Sequence, residues 1–422
     1  MIDRGRGAHM SDFDETENDV PVTPPVLPQP LRKRTLPRER TALAIWFWEI
    51  DRVLLSMIAV LIAIGLLAVA AASPVAAQDQ STSKVTLSPL YFFYRQLFFV
   101  GLGVPVMLVV SMLPRPQARR FAMFLAAFFM VMLLAVPLIG TSVNGAVRWI
   151  GSGWARFQPS EFLKAPFVVT IAWLLSLKLK DRSLPVMSLT FVLTALVAAL
   201  LMHQPDFGQT VIFCGVWAIL LLISGVSMRI MGALGAGAMG LLVLTYLFYE
   251  NGRERINAFL RPSVDAAAGP RQEQLAHSTI TNGGFSGLGP GNGVAKAHLP
   301  EAHTDYIFSV IGEEFGLLAC MAIALLYLAI ITRVLVRLLD EEDNFIILAT
   351  AGLTAQFGLQ ALINIGVNVQ LLPSKGMTLP FISYGGSSMI ALCIGVGLLL
   401  AFTRRNPFLS RSSNYVVKWS GR

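Results

Sequence analysis

Charge is what this sequence has least of. Only 14% of its 422 residues are Asp, Glu, Lys or Arg, where a soluble domain carries about 25%. So few charges cannot coat the water-facing surface of a chain this long, which excludes a soluble enzyme and a disordered scaffold. Cysteine is scarce too. Cys214, Cys320 and Cys393 all fall inside apolar runs, where a buried thiol is the simple reading, so a secreted disulfide protein is also excluded. A cleavable signal is not expected, because the first apolar run begins about fifty residues in and is too long for a signal core. Nor is there a nucleotide site. Gly283, Gly284, Gly287, Gly289, Gly291 and Gly293 do not lie between a strand and a helix, as a dinucleotide fingerprint requires.

What the chain does have is apolar length: 55% of it is hydrophobic. Runs near 53–72, 97–113, 121–140, 162–177, 186–202, 209–224, 230–249, 306–332, 345–367 and 385–402 each approach the ~20 residues that span a bilayer. They predict an all-α polytopic membrane protein of about ten transmembrane helices. The net charge of +8 is therefore read first as a topology signal. With the N-terminus inside, the inner segments carry 22 Lys and Arg and the outer loops 10. Residues 1–52 and 403–422 are then cytoplasmic tails, flanking a membrane domain over 53–402. Residues 250–305 form a long periplasmic loop between spans 7 and 8.

The N-terminal tail combines an acidic patch (Asp12 to Asp19), a proline-rich stretch (Pro21 to Pro37) and Arg32-Lys33-Arg34. Such a composition cannot bury a core and predicts disorder. Its GAHM at 7–10 is either a tag remnant or a native start. The long outer loop differs, being rich in glycine rather than in solubilising charge. Long loops are usually functional or disordered, and glycine lets a backbone come close to a ligand.

A charge in the hydrocarbon costs at least ~2.5–3.5 kcal/mol, so intramembrane charges are functional candidates. Glu161 and Lys164 open the fourth run as i,i+3 neighbours able to pair, either as a structural ion pair or as part of a site. Asp305, Glu313 and Glu314 surround the start of the eighth. Glu313 and Glu314 are open to a packing role as well as a reactive one. Asp305 stands at the junction of loop and span, where it can meet both water and a lipid head group. All five lie in the outer half of the membrane. His298 and His303 are too isolated for a metal signature. Gly385-Gly386 opens the last run, where it allows a tight turn or helix-terminal amides facing an anion.

These residues sit in recognisable segments: NGAVRW at 144–149, QPSEFLK at 158–164, QPDFGQ at 204–209, PEAHTD at 300–305, and LLPSKG at 371–376 running into PFISYGGSS at 380–388. In this order, over about 45–405, they resemble the SEDS family (shape, elongation, division and sporulation proteins). The lysine-containing approach to SYGGSS and the long N-tail are more similar to its division branch than to its elongation branch. Ser374 and Tyr306 stand where threonine and phenylalanine are common, which preserves character.

The resemblance implies ten spans in the inner membrane at the division septum, and a peptidoglycan glycosyltransferase that polymerises lipid II. It implies undecaprenyl-pyrophosphate-linked glycan as substrate, a class B penicillin-binding protein transpeptidase as partner, and contact with other divisome membrane proteins. Asp305 is the matching catalytic aspartate. Glu161, Lys164, Arg148, His303, Lys375 and Ser387 match the family's substrate-binding positions. A divalent cation, magnesium or manganese, follows from the resemblance alone, since no metal-ligand spacing supports it.

The chemistry agrees with that role. A sugar hydroxyl is a poor nucleophile, so a carboxylate in hydrogen-bond reach must take its proton. The leaving pyrophosphate needs positive charge or a metal, with Lys164, Lys375, Arg148 and the loop arginines as unranked candidates. Two other functions remain open at this stage: a lipid II flippase, which would need a polar path through the whole membrane, and a non-catalytic divisome scaffold.

Overall fold

The computed structural model describes residues 42–81, 86–143, 146–153, 156–181, 183–248, 250, 253, 257, 272–373 and 376–404. The chain divides between Ile45 and Trp46. Of the first unit, Ala42–Ile45 are described and are helical, and the remaining elements belong to the second. In order they are α1 (Ala42–Glu49), α2 (Arg52–Gln80), α3 (Tyr91–Met112), α4 (Arg115–Ile139), β1 (Thr141–Val143), β2 (Ala146–Trp149), α5 (Pro159–Lys180), α6 (Val186–His203), α7 (Phe207–Ile223), α8 (Met228–Phe248), α9 (Gln272–Asn282), a 3-10 turn (Ala295–His298), α10 (Ile307–Leu338), α11 (Asn344–Asn368) and α12 (Ser387–Thr403). Each of the ten apolar runs falls on one helix. Among the described residues, seven helices (α2–α6, α10 and α11) are long and apolar enough to cross a membrane, and α7 and α12 are shorter apolar helices. The chain is a helical, multi-pass membrane protein.

Between α4 and α5 the described residues form an antiparallel hairpin. Thr141 lies opposite Trp149 and Val143 opposite Ala146. The linking Asn144-Gly145, outside the described residues, is a dipeptide that favours tight hairpin turns.

Helix starts follow local chemistry. Pro159 begins α5, where its fixed φ suits the first turn and its missing N–H costs nothing. Asp51 caps α2 by accepting from the amides of Val53 and Leu54 at 3.1 and 3.2 Å. Its other oxygen lies 3.0 Å from Arg333 Nε and 2.8 Å from Arg337 Nε, two arginines one turn apart at the far end of α10. Arg115, at the start of α4, meets Glu341 at 3.0 Å and donates to the carbonyl of Arg404, which in turn donates to Leu113 O. The start of α2, the α3–α4 turn, the end of α10 and the end of α12 therefore share one side, as alternating spans require.

Burial separates centre from rim. About 72% of the apolar window is buried in α5 and α11, against 28% in α4, α6 and α10. Helices associate closely in lipid where small residues let backbones approach. A Cβ at Gly103 of α3 would meet Cys393 Sγ of α12 at 2.8 Å, and one at Gly397 would meet Met107 O at the same distance.

Helix α10 is broken at Gly316, which adopts φ 80° and ψ 178°. The break frees backbone groups that cannot stay unpaired in a membrane, and the glycine-rich loop takes them. Leu288 N donates to Glu313 O at 2.9 Å, Gly289 N to Glu314 O at 3.0 Å, and Leu317 N to Gly284 O at 2.9 Å. A Cβ at Gly283 would lie 2.0 Å from Gly312 O, so this contact tolerates only glycine. The carboxylate of Glu313 accepts from the amides of Val294, Ala295 and Lys296 at 2.7–2.9 Å. Glu314 pairs with the buried Lys296 ammonium. Both glutamates thus take the packing role. They anchor the loop that delivers residues 299–306 to the head of α10.

Candidate functional site

At the head of α10 lies a cavity of about 880 Å³, lined by residues from seven stretches of the chain. One wall carries carboxylates: Asp305 and Glu301 from the segment before α10, Asp206 from the α6–α7 turn, and Glu161 from the first turn of α5. The cavity is also lined by Arg95 of α3, by Arg156, and by the Tyr384–Ser388 segment that opens α12.

Asp305 is held by its backbone. The side-chain amides of Asn364 and Asn368, one turn apart on α11, donate to its carbonyl at 2.8 and 3.1 Å. Asn364 also donates to Met377 O at 2.7 Å, which fixes the neighbouring loop. Gly376 faces the Asp305 carboxylate, and a Cβ there would lie 3.3 Å from Oδ2. Burial raises the Asp305 pKa to about 7, with the charges of Glu301, Asp206 and Glu161 pushing the same way. It therefore titrates near neutrality, the range a general base needs.

His303 is buried between Phe92 and Tyr384, with ring centroids at 4.4 and 5.5 Å. Burial lowers its pKa to about 4, against the opposing pull of Glu301, so at neutral pH it is an uncharged hydrogen-bonding group. Its carbonyl accepts from Tyr384 N at 2.9 Å, joining the aspartate segment to the start of α12. Burial likewise pushes the Tyr384 phenol up to about 12, with nearby Arg95 pulling down.

Below the carboxylate wall a polar chain enters the helix bundle. Arg148, on β2, donates to Gln204 O at 2.8 Å and lies 3.9 Å from Asp206. Burial raises the Asp206 pKa, and Arg148 opposes this. Asp206 also accepts from Gln158 at 2.8 Å. Glu161 accepts from Gln209 and pairs with Lys164 Nζ at 2.8 Å. Lys164 then donates to Gln360 Oε1 at 3.0 Å, and Gln360 donates to Thr378 O at 3.0 Å.

Of the residues expected from sequence, Asp305, Glu161, Arg148, His303 and Ser387 line one cavity. Lys164 does not line it. It is 2% exposed and lies behind Glu161, where it braces the cavity floor through Gln360. Lys375 lies outside the described residues.

Residues 51–407 match the family described as cell cycle protein, FtsW/RodA/SpoVE. The chain belongs to this family. It is 38% identical to a probable peptidoglycan glycosyltransferase FtsW of Caulobacter vibrioides, over 87% of this chain and 93% of the relative. It is 33% identical to one of Coxiella burnetii, over 84% and 96%. Among solved structures it is similar to a peptidoglycan synthase complex described as coordinating polymerization and crosslinking, with TM-score 0.67 and 28% identity over 84% of this chain and 97% of that one. It is also similar to the rod shape determining protein RodA of Thermus thermophilus, with TM-score 0.62 and 25% identity over 84% and 96%.

In this member of the FtsW/RodA/SpoVE family, sequence reasoning missed Arg95, Arg156, Glu301 and Asp206 as cavity residues, and Asn364 and Asn368 as the support of Asp305. Glu301 and Asp206 lie within segments already singled out. Asn364 and Asn368 left one signal: two amides one turn apart in an apolar run, which must find polar partners.

Proposed function

We propose that this protein is a peptidoglycan glycosyltransferase that polymerises lipid II into glycan strands, with Asp305 as the general base. The observation that carries the reading is a carboxylate of pKa about 7 in the wall of a large cavity at the N-terminal end of a membrane helix. In the reaction, the acceptor sugar hydroxyl attacks the anomeric carbon of the lipid-linked donor. A new carbon–oxygen glycosidic bond forms as the bond to pyrophosphate breaks. The pyrophosphate leaves with the bonding electron pair, and the hydroxyl proton passes to Asp305. The names of the relatives, and the description of a similar solved structure as a synthase complex that coordinates polymerization and crosslinking, support this assignment. The partner in this reading is a class B penicillin-binding protein that crosslinks the product.

A magnesium or manganese ion, when bound, would supply charge neutralisation at the pyrophosphate. Asp305 and Glu301 offer the hard oxygen donors such ions take. No cluster of three His, Cys, Asp or Glu side chains converges among the described residues, so phosphate oxygens would complete the shell.

The reading places the protein in the inner membrane at the division septum, with the cavity toward the periplasm and both tails in the cytoplasm. The asymmetry of Lys and Arg supports that orientation. Failure of an impermeant thiol reagent to label a Ser263→Cys variant in intact spheroplasts would overturn it.

The deciding experiment is glycan synthesis by the purified protein with its transpeptidase and lipid II, with and without Asp305→Asn. A general base contributes about 10²–10⁴-fold, so polymerisation should fall by at least about two decades while expression and partner binding persist. A near wild-type rate removes Asp305 as the base. Loss of lipid II translocation in liposomes would indicate a flippase, and loss of partner binding would indicate a scaffold.

A further inference from the structure

The reaction proposed above leaves a pyrophosphate that must sit somewhere in the cavity. Among the described residues three arginines line it: Arg95, Arg148 and Arg156. Their donors are not equally available. Arg148 donates from Nε to Gln204 O at 2.8 Å and from Nη2 to Pro205 O at 2.5 Å, and its Nη1 lies 3.9 Å from Asp206. Arg95 also has a partner within the protein. Lys164 does not line the cavity and is committed to Glu161 and Gln360. His303 is neutral.

Arg156 differs. Ile150 and Phe157 exchange both backbone hydrogen bonds, Ile150 N to Phe157 O at 2.9 Å and Phe157 N to Ile150 O at 3.0 Å. This antiparallel bridge closes residues 150–157 into a loop and returns Arg156 to the strand that carries Trp149. The guanidinium lies over the Trp149 ring, 5.4 Å from its centroid, and both residues line the cavity. Among the described residues Arg156 makes no hydrogen bond or ion pair. An aromatic face attracts a cation through its quadrupole and consumes none of the N–H donors of the guanidinium fork. Four carboxylates share the cavity, Glu161, Asp206, Glu301 and Asp305, and each could capture a loose arginine. The ring contact leaves Arg156 free of all four, with its donors unspent. Such a planar fork matches phosphate oxygens two at a time. Its charge is felt at Tyr384, whose phenol it pulls down.

We infer that Arg156 binds the pyrophosphate of the lipid-linked donor, and that Trp149 is the positioning residue that keeps this arginine off the carboxylates and aimed at the ligand. The inference rests on the glycosyltransferase reading and divides the labour within the cavity. Asp305 activates the acceptor, and Arg156 offsets the charge that gathers on the leaving group. Trp149 acts through Arg156.

The test is direct binding of geranyl pyrophosphate to the full-length protein in nanodiscs, with inorganic pyrophosphate as competitor. Hydrogen bonds to a charged group set the scale, so Arg156→Gln should weaken binding roughly tenfold or more. Arg156→Lys keeps the charge but not the planar fork, and its affinity should fall between the two. Trp149→Ala should weaken binding several-fold, and Trp149→Phe, which keeps an aromatic face, should recover most of the loss. In the Arg156→Gln background, Trp149→Ala should cost nothing further, because its effect runs through the arginine. Wild-type affinity in Arg156→Gln overturns the inference, and additive losses in the double variant overturn the role of Trp149. Should Arg156→Gln fail to fold, Arg156→Lys decides: wild-type affinity there overturns a forked contact. Binding that inorganic pyrophosphate cannot displace also overturns the inference, because the prenyl tail would then carry it, as does no binding by the wild type. If binding depends on Arg156 while the assembled complex makes no glycan, the anion site stands and the glycosyltransferase reading falls.

Discussion

The side-chain amide of Asn364 donates to the backbone carbonyl of Asp305 at 2.8 Å, so the reactive segment is held from α11 rather than from its own helix. Asn364 bonds Met377 O as well, which places it between the aspartate and the loop that faces it. Asn364→Leu should leave Met377 O without this donor, at about 1–3 kcal/mol, and leave Asp305 O with Asn368 as its remaining side-chain donor. Glycan synthesis should fall about tenfold or more through kcat, with KM for lipid II little changed. A merely structural role would leave the pH midpoint of kcat/KM in place. A positioning role predicts that it moves, since the exposure of Asp305 changes with its backbone.

That midpoint is itself predictable. Burial, reinforced by Glu301, holds Asp305 near 7, and only the ionised form can accept a proton. The sign follows: kcat/KM should fall about tenfold per pH unit below 7 and level off above it. Glu301→Gln removes a charge that disfavours ionisation, so it should shift the acid limb to lower pH. A limb that stays put or rises would show that Glu301 does not act on Asp305.

How much of this was legible in the sequence depends on the range of the interaction. The ten apolar runs are set by composition over about 20 residues, and each became a helix. The pairing of Glu161 with Lys164 followed from helical spacing. What remained hidden was set by contacts between distant segments. Arg95 reaches the cavity because α3 packs on α12. Lys164 misses it because Gln360, 196 residues away, takes its ammonium. The break at Gly316 depends on a loop that supplies amides to the freed carbonyls, and no local pattern announces it.

The glycine-rich loop gives a prediction that separates packing from composition. Gly287 has φ 80°, and a Cβ there would lie 2.2 Å from Glu314 O. Gly284 has φ 57° with open space around it. Gly287→Ala should therefore displace the loop from the broken helix, and Gly284→Asn should be tolerated, since asparagine visits this region readily. Limited proteolysis within 283–300 reads the difference, with helix content by circular dichroism as control. Equal sensitivity of the two variants would show that the close approach does not hold the loop.

The last prediction concerns Glu161 and Lys164, 8% and 2% exposed and 2.8 Å apart. Removing one partner of a buried pair leaves a charge that the low-dielectric interior cannot solvate, at about 3–5 kcal/mol. Lys164→Met strands the carboxylate, and also frees Gln360 and with it the Thr378 carbonyl. Glu161→Gln strands the ammonium, while its amide can still meet Gln209. The first change should thus cost more than the second in thermal stability of the purified protein. The double variant strands neither charge, so its loss should be smaller than the sum of the two, by a coupling of about 0.5–3 kcal/mol. Activity adds a second reading, because Glu161 lines the cavity and Lys164 does not. Restoring stability in the double variant should therefore restore folding without restoring full polymerisation. Strictly additive stability losses would show that the two charges do not stabilise each other, and that the chain from Asp206 to Thr378 is not one unit.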